Sequence, residues 1–190
     1  MLRTSILGIV AAALVAGGCG SEPQRPPDVG TPGPPGELTA LDLPQQGVRL
    51  VVPSAWKATP GVADGSLLAT YTSGRATIAV WRYPRTEPLP RTKADLEAPR
   101  DSLIAATKAR DPQFSVSSSR ILRGSSRRGV ELIGTGTNSG FPRRVPSLHL
   151  LGGGSEVVLD QYTTPDAFGA VDGDVFRDVA ASLRVTDPSA

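Results

Sequence analysis

The feature that most constrains this chain is a run of four strand-length segments with connections too short for any parallel pairing. They are Phe114 to Leu122, Gly129 to Thr137, Arg143 to Leu151 and Glu156 to Thr163. Between them stand Gly124-Ser125-Ser126, Asn138-Ser139-Gly140 and Gly152-Gly153-Gly154. A parallel pair needs a crossover of about a dozen residues, so neighbours joined this closely must run antiparallel. Upstream, Val48, Leu50 and Val52 alternate in GVRLVVP until Pro53 closes the strand. Ser66 to Thr72 and Ala76 to Arg82 follow as a hairpin about Ser73-Gly74, with Ile78 and Val80 on one face.

Two helical patterns interrupt the strands. Leu96, Leu103, Ile104 and Thr107 form a 3.6-residue stripe between Lys93 and Arg110, with Thr92 as N-cap and Asp111-Pro112 as the stop. Pro99 lies inside it, so either the helix begins at Pro99 or a bend sits there. A last helix is expected from Asp172, as N-cap, to Leu183, burying Phe176, Val179, Ala180 and Leu183. The fold class is therefore α+β: an antiparallel meander of about six or seven strands with one inserted and one C-terminal helix.

The front of the chain reads differently. Arg3 precedes the uncharged run Ile6 to Ala16, which has the length of a signal h-region and is short for a bilayer span. Ala16-Gly17-Gly18 and Cys19 follow. This segment resembles the lipobox of bacterial lipoproteins, with Ala16 where that family prefers Leu. The resemblance implies a diacylglycerol thioether on Cys19 and cleavage between Gly18 and Cys19. Two acyl chains give stable anchoring where one gives only marginal binding. The expected partner is thus the membrane, on its extracytoplasmic side. Residues 20–45 are rich in proline and glycine without apolar periodicity and read as an extended tether. The expected organisation is signal 1–18, lipidated Cys19 and tether to residue 45, one domain over 46–187, and a tail at 188–190.

Within the domain, GVRLVVPSAW with Pro53 and Trp56 resembles the opening of the PsbP-like α/β/α sandwich. The strand Val157 to Tyr162 and the helix carrying Phe168, Phe176, Ser182 and Leu183 resemble its close. Similar domains occur in actinobacterial lipoproteins of the same layout. That resemblance implies a binding or assembly role without a shared catalytic constellation, and it carries over no site residue.

Composition narrows the chemistry further. The chain holds one cysteine and one histidine, so neither an intrachain disulfide nor a cysteine–histidine zinc site is expected, and no cofactor is. His149 lies opposite Leu148 and Leu150 in PSLHLLG and reads as a structural histidine. No serine sits in a G-x-S-x-G elbow. Gly134 to Gly140 fails the dinucleotide fingerprint, because Ser139 stands where the third glycine belongs, and reads as a wide β-turn. Trp56, Trp81 and Tyr83 carry most of the large aromatic surface. They read as core, with the Trp81–Tyr83 end as an alternative pocket rim.

Arg120, Arg123, Arg127, Arg128, Arg143 and Arg144 cluster about two hairpin connections, as a basic contact face or as a solvated set paired with carboxylates. A net charge of +2 and few interleaved aromatics argue against nucleic acid. The leading expectation is a membrane-anchored, non-catalytic module that docks an envelope protein. The alternative is a binder of a small or lipid-like ligand between sheet and helix. An enzyme is not expected.

Overall fold

The computed structural model describes residues 30–62, 65–90, 92–124, 127–138 and 141–188. Gly18, Cys19 and residues 20–29 of the expected tether lie outside these. The strands are β1 (Leu38–Leu43), β2 (Val48–Pro53), β3 (Lys57–Pro60), β4 (Leu67–Ser73), β5 (Ala76–Pro84), β6 (Ser115–Gly124), β7 (Arg127–Asn138), β8 (Phe141–Gly152), β9 (Ser155–Tyr162) and β10 (Arg184–Val185). The helices are α1 (Ala94–Arg110), α2 (Phe168–Val171) and α3 (Arg177–Ser182). The fold is α+β and wholly antiparallel in its pairings.

Seven strands form one sheet in the order β3-β4-β5-β9-β8-β7-β6. The last four are the meander that the short turns demand. α1 carries the chain from the centre of the sheet at β5 to its far edge at β6. β2 does not join this sheet. It pairs with β1 and β10 in a separate three-stranded sheet, which turns Val48, Leu50 and Val52 onto the core.

The main core fills one face of the large sheet. Ile78, Val80, Leu148, Leu150, Val157 and Leu159 meet β2 and the C-terminal helical run, whose Val171, Val175, Phe176, Val179 and Leu183 are buried. That run starts at Phe168, not Asp172. Asp172 is a buried residue in a π-helical turn (Asp172–Phe176), and its carboxylate accepts from Arg177 Nε at 3.0 Å. The wider turn brings residues five apart together, so the expected N-cap is an internal ion-paired residue.

The expected tether also contains structure. β1 lies within it and pairs along the whole of β2. Residues 30–37 are docked ahead of it. Trp56 is buried and its indole Nε1 donates to the Gly33 carbonyl at 3.2 Å, while Ala55 N donates to Pro35 O at 2.9 Å. Proline carbonyls remain acceptors, and the Trp56 loop supplies the donors that order this segment. The folded part thus starts well before residue 46.

α1 covers the opposite face of the sheet. Thr92 and Asp95 cap it reciprocally: Asp95 N donates to Thr92 Oγ1 at 3.1 Å, and Thr92 N to Asp95 Oδ2 at 2.8 Å. The helix runs through Pro99. Of its expected stripe only Leu96 is fully buried, while Leu103, Ile104 and Thr107 are half-buried. The helix therefore stands off the sheet, and the space beneath it is the site described next.

Candidate functional site

The geometry of the site begins with a turn. β8 and β9 are joined through Gly153 and Gly154, whose φ angles are +51° and +63°. Two successive left-handed residues make the tightest hairpin connection, and glycine adopts them without strain. This sets Gly152 opposite Ser155 and, further along, Ser147 opposite Asp160 and His149 opposite Val158. Because side chains alternate, Ser147, His149, Glu156, Asp160 and Tyr162 all project from the face beneath α1.

Between α1 and this face lies a cleft of about 960 Å³. Its walls are largely apolar, with Leu89, Leu103, Phe114, Val130, Leu132 and Leu151 among them. Phe114 closes one end by lying directly over β7. A Cβ at Gly134 would come within 2.3 Å of its ring, so the glycines read as a turn serve inside β7 as clearance for an aromatic.

The floor is a continuous polar chain. Arg85 ion-pairs with Glu156. Glu156 Oε1 stands 2.6 Å from His149 Nδ1, and His149 Nε2 stands 2.9 Å from Ser147 Oγ. Ser147 donates to Asp160 Oδ1, and the Tyr162 hydroxyl donates to Asp160 Oδ2 at 3.1 Å. The side chains of His149 and Glu156 are only 12% and 13% exposed. Burial pushes the Glu156 carboxyl up, but the hydrogen bonds and charges of His149 and Arg85 outweigh it and hold it below its ordinary range. Burial pushes the Tyr162 phenol far up, and the adjacent Asp160 charge adds to the shift. Tyr83, at the cleft mouth, moves the same way for the same two reasons.

Ser147, His149 and Glu156 stand in the order of nucleophile, base and orienting carboxylate. The Ser147 hydroxyl donates to Asp160, while His149 Nε2 and Nδ1 lie within hydrogen-bond distance of Ser147 Oγ and Glu156 Oε1. β8 is paired on both sides, so its backbone donors are engaged in the ladders with β7 and β9. The arrangement is suited to holding a polar group at the base of an apolar cleft. Among the described residues no three His, Cys, Asp or Glu side chains are grouped to hold a metal ion.

The six arginines do not share a surface. The strand registers turn Arg123, Arg128 and Arg143 to the α1 face, and Arg120, Arg127 and Arg144 to the other. Arg143 lies on β8 opposite Gly136, eight residues along β7 from Arg128, or about 27 Å at ~3.4 Å per residue. Arg120 pairs with Glu131 at 2.6 Å, Arg127 donates to Ala181 O, Arg128 to Pro90 O, and Arg144 to Thr135 while stacking over Phe168 at 4.9 Å. Arg143 Nη1 is buried without a partner among the described residues. Arginines adjacent in sequence on strands alternate in direction, which disperses the expected basic face.

His149 does lie opposite Leu148 and Leu150, as alternation requires. Its neighbours Ser147, Glu156 and Asp160 were missed as a group. The signal was present as polar residues at alternate positions of two segments flanking a triple glycine. Of the aromatics, Trp56 is core and Tyr83 lines the cleft.

No known protein family profile matches the chain, and no curated protein is detectably similar in sequence. Among solved structures it resembles cyanobacterial PsbP (CyanoP) from Synechocystis sp. PCC 6803. The TM-score is 0.61 at 14% identity, over 78% of this chain and 92% of that one. A weaker likeness, with a TM-score of 0.45 and 16% identity, is to PA94, a Pseudomonas aeruginosa protein of unknown function, over 73% of this chain and 90% of that one. The chain therefore has a PsbP-like α+β fold, the architecture that β2 and the last helix anticipate.

Proposed function

We propose that this chain is an extracytoplasmic lipoprotein, anchored through lipid on Cys19, whose single domain binds a small or lipid-like ligand without catalysis. One observation carries the binding reading: the cleft of about 960 Å³ between α1 and the sheet, apolar in its walls and polar at its floor. Ligand pockets typically occupy about 300–1,000 Å³ with a few placed polar groups among apolar walls. The docking reading rests on the PsbP-like resemblance, and the six arginines do not supply it with a single contact face. The anchor reading rests on the uncharged run before Ala16-Gly17-Gly18-Cys19.

Both halves are testable on the expressed chain. A Cys19→Ala variant should lose acyl-lipid labelling and leave the membrane fraction; retention of label overturns the anchor. The neutral fluorophore N-phenylnaphthylamine should bind saturably near one per chain, and Leu103→Trp, which fills the cleft, should abolish this. Binding that is absent, or indifferent to Leu103→Trp, overturns the cleft as a ligand site.

A further inference from the structure

We infer that the cleft selects amphiphiles with a cationic head, an alkylammonium or similar amine, seated on the Asp160 carboxylate. The inference rests on the ligand-binding reading above and adds the chemistry of the ligand's polar end.

The cleft is lined by four carboxylates, Glu87, Asp111, Glu156 and Asp160, against the guanidiniums of Arg85 and Arg110 and the ring of His149. They are not equivalent. Glu156 is paired with Arg85 and His149. Asp111 is occupied at the end of α1, where Gln113 N and Thr137 N both donate to it. Asp160 is half-buried at the centre of the floor, and its partners are two neutral hydroxyls, Ser147 and Tyr162. No cation among the described residues lies within ion-pair distance of it. Arg110 is close enough to influence Tyr83 and Tyr162 but forms no ion pair with Asp160. A half-buried carboxylate with no ion-pair partner carries a desolvation cost, and an entering cation would relieve it.

Hydrogen-bond direction points the same way. The Ser147 and Tyr162 protons are both spent on Asp160, so the floor offers spare acceptor lone pairs at its carboxylates and no spare hydroxyl proton. At Asp160 a carboxylate or phosphate head would meet acceptors, whereas an ammonium, with three donors, would meet what it needs. Tyr83 and Tyr162 line the same cleft, and aromatic surface there also favours a cation. The apolar walls under α1 take the hydrocarbon part.

The test is a matched series of twelve-carbon probes titrated calorimetrically at pH 7 into the secreted chain carrying Cys19→Ala. Dodecylamine, charged at this pH, should bind at least about tenfold more tightly than dodecanol, since a hydrogen bond to a charged group exceeds a neutral one by this order. Dodecanoate should bind most weakly. In Asp160→Asn the amine's advantage should fall below about threefold, with dodecanol affinity unchanged as the control for folding. Should Asp160→Asn fail to fold, the order of the three probes on the unmutated cleft decides by itself. Equal affinity for amine and alcohol, or a preference for dodecanoate, overturns the cationic ligand and leaves the cleft standing. Failure of all three to bind saturably overturns the cleft reading itself.

Discussion

Gln161 offers the sharpest test of how this domain is held together. It lies on central strand β9, opposite Ile78 of β5, and is wholly buried on the core face of the sheet. Neither its Nε2 nor its Oε1 has a hydrogen-bond partner among the described residues. Burying an amide without compensation costs about 1–3 kcal/mol by protein mutational measures. Gln161→Met keeps the unbranched shape and removes the polar atoms, and a shape-conserving exchange costs less than about 1.5 kcal/mol. From the middle of these ranges the expected net effect is a gain of about 1 kcal/mol. At roughly 2–4 °C per kcal/mol for a domain of this size, Tm should rise by about 2–4 °C. Urea unfolding followed by tryptophan fluorescence, with calorimetry alongside, measures both quantities. Leu159→Ala, two residues away on the same face, should lose about 2–5 kcal/mol and shows that the assay reads the core. Because Gln161 faces away from the cleft, fluorophore binding should not change. A Gln161→Met variant no more stable than the parent would mean that the amide is satisfied in solution, and the reasoning fails.

The other predictions concern the elements that frame the cleft. Gly153→Ala would place a Cβ 1.9 Å from the Thr186 carbonyl at a positive φ, so it should cost more than about 2 kcal/mol in urea unfolding; Gly154→Ala, with open space around it, should cost only about 1–2 kcal/mol. Thr92→Ala should lower stability by about 1 kcal/mol through loss of the α1 cap, read as a shift in urea midpoint. Glu156 has a folded pKa below its ordinary value, so its stabilising contribution is present above the unfolded pKa of about 4.3 and is lost as pH falls through the folded value. The urea midpoint should therefore fall more steeply on acidification from pH 5 to about pH 3 in the parent than in Glu156→Gln; parallel profiles would contradict this.

Much of the large sheet was legible because its signals are local. Segment lengths and two- or three-residue connections force the β6–β9 meander, and a 3.6-residue stripe marks both helical regions. β1 was not legible. Its Leu38, Leu41 and Leu43 follow a proline-rich stretch, and only pairing with β2 gives the segment a partner for its backbone groups. Asp172 looked like an N-cap because acidic residues favour helix starts, but the π turn and Arg177 give it an interior place.

The site divides along the same line. Alternation alone determined that His149 faces away from Leu148 and Leu150, and composition alone removed disulfides and cysteine–histidine zinc sites from consideration. Only the tertiary structure decided what His149 faces. Its neighbours come from another strand, in a register set by the φ angles of Gly153 and Gly154, beneath a helix whose distance from the sheet no periodicity encodes. Periodicity reports which way a side chain points along its own element. Which charges it meets, and whether space remains between them, depends on how separate elements pack.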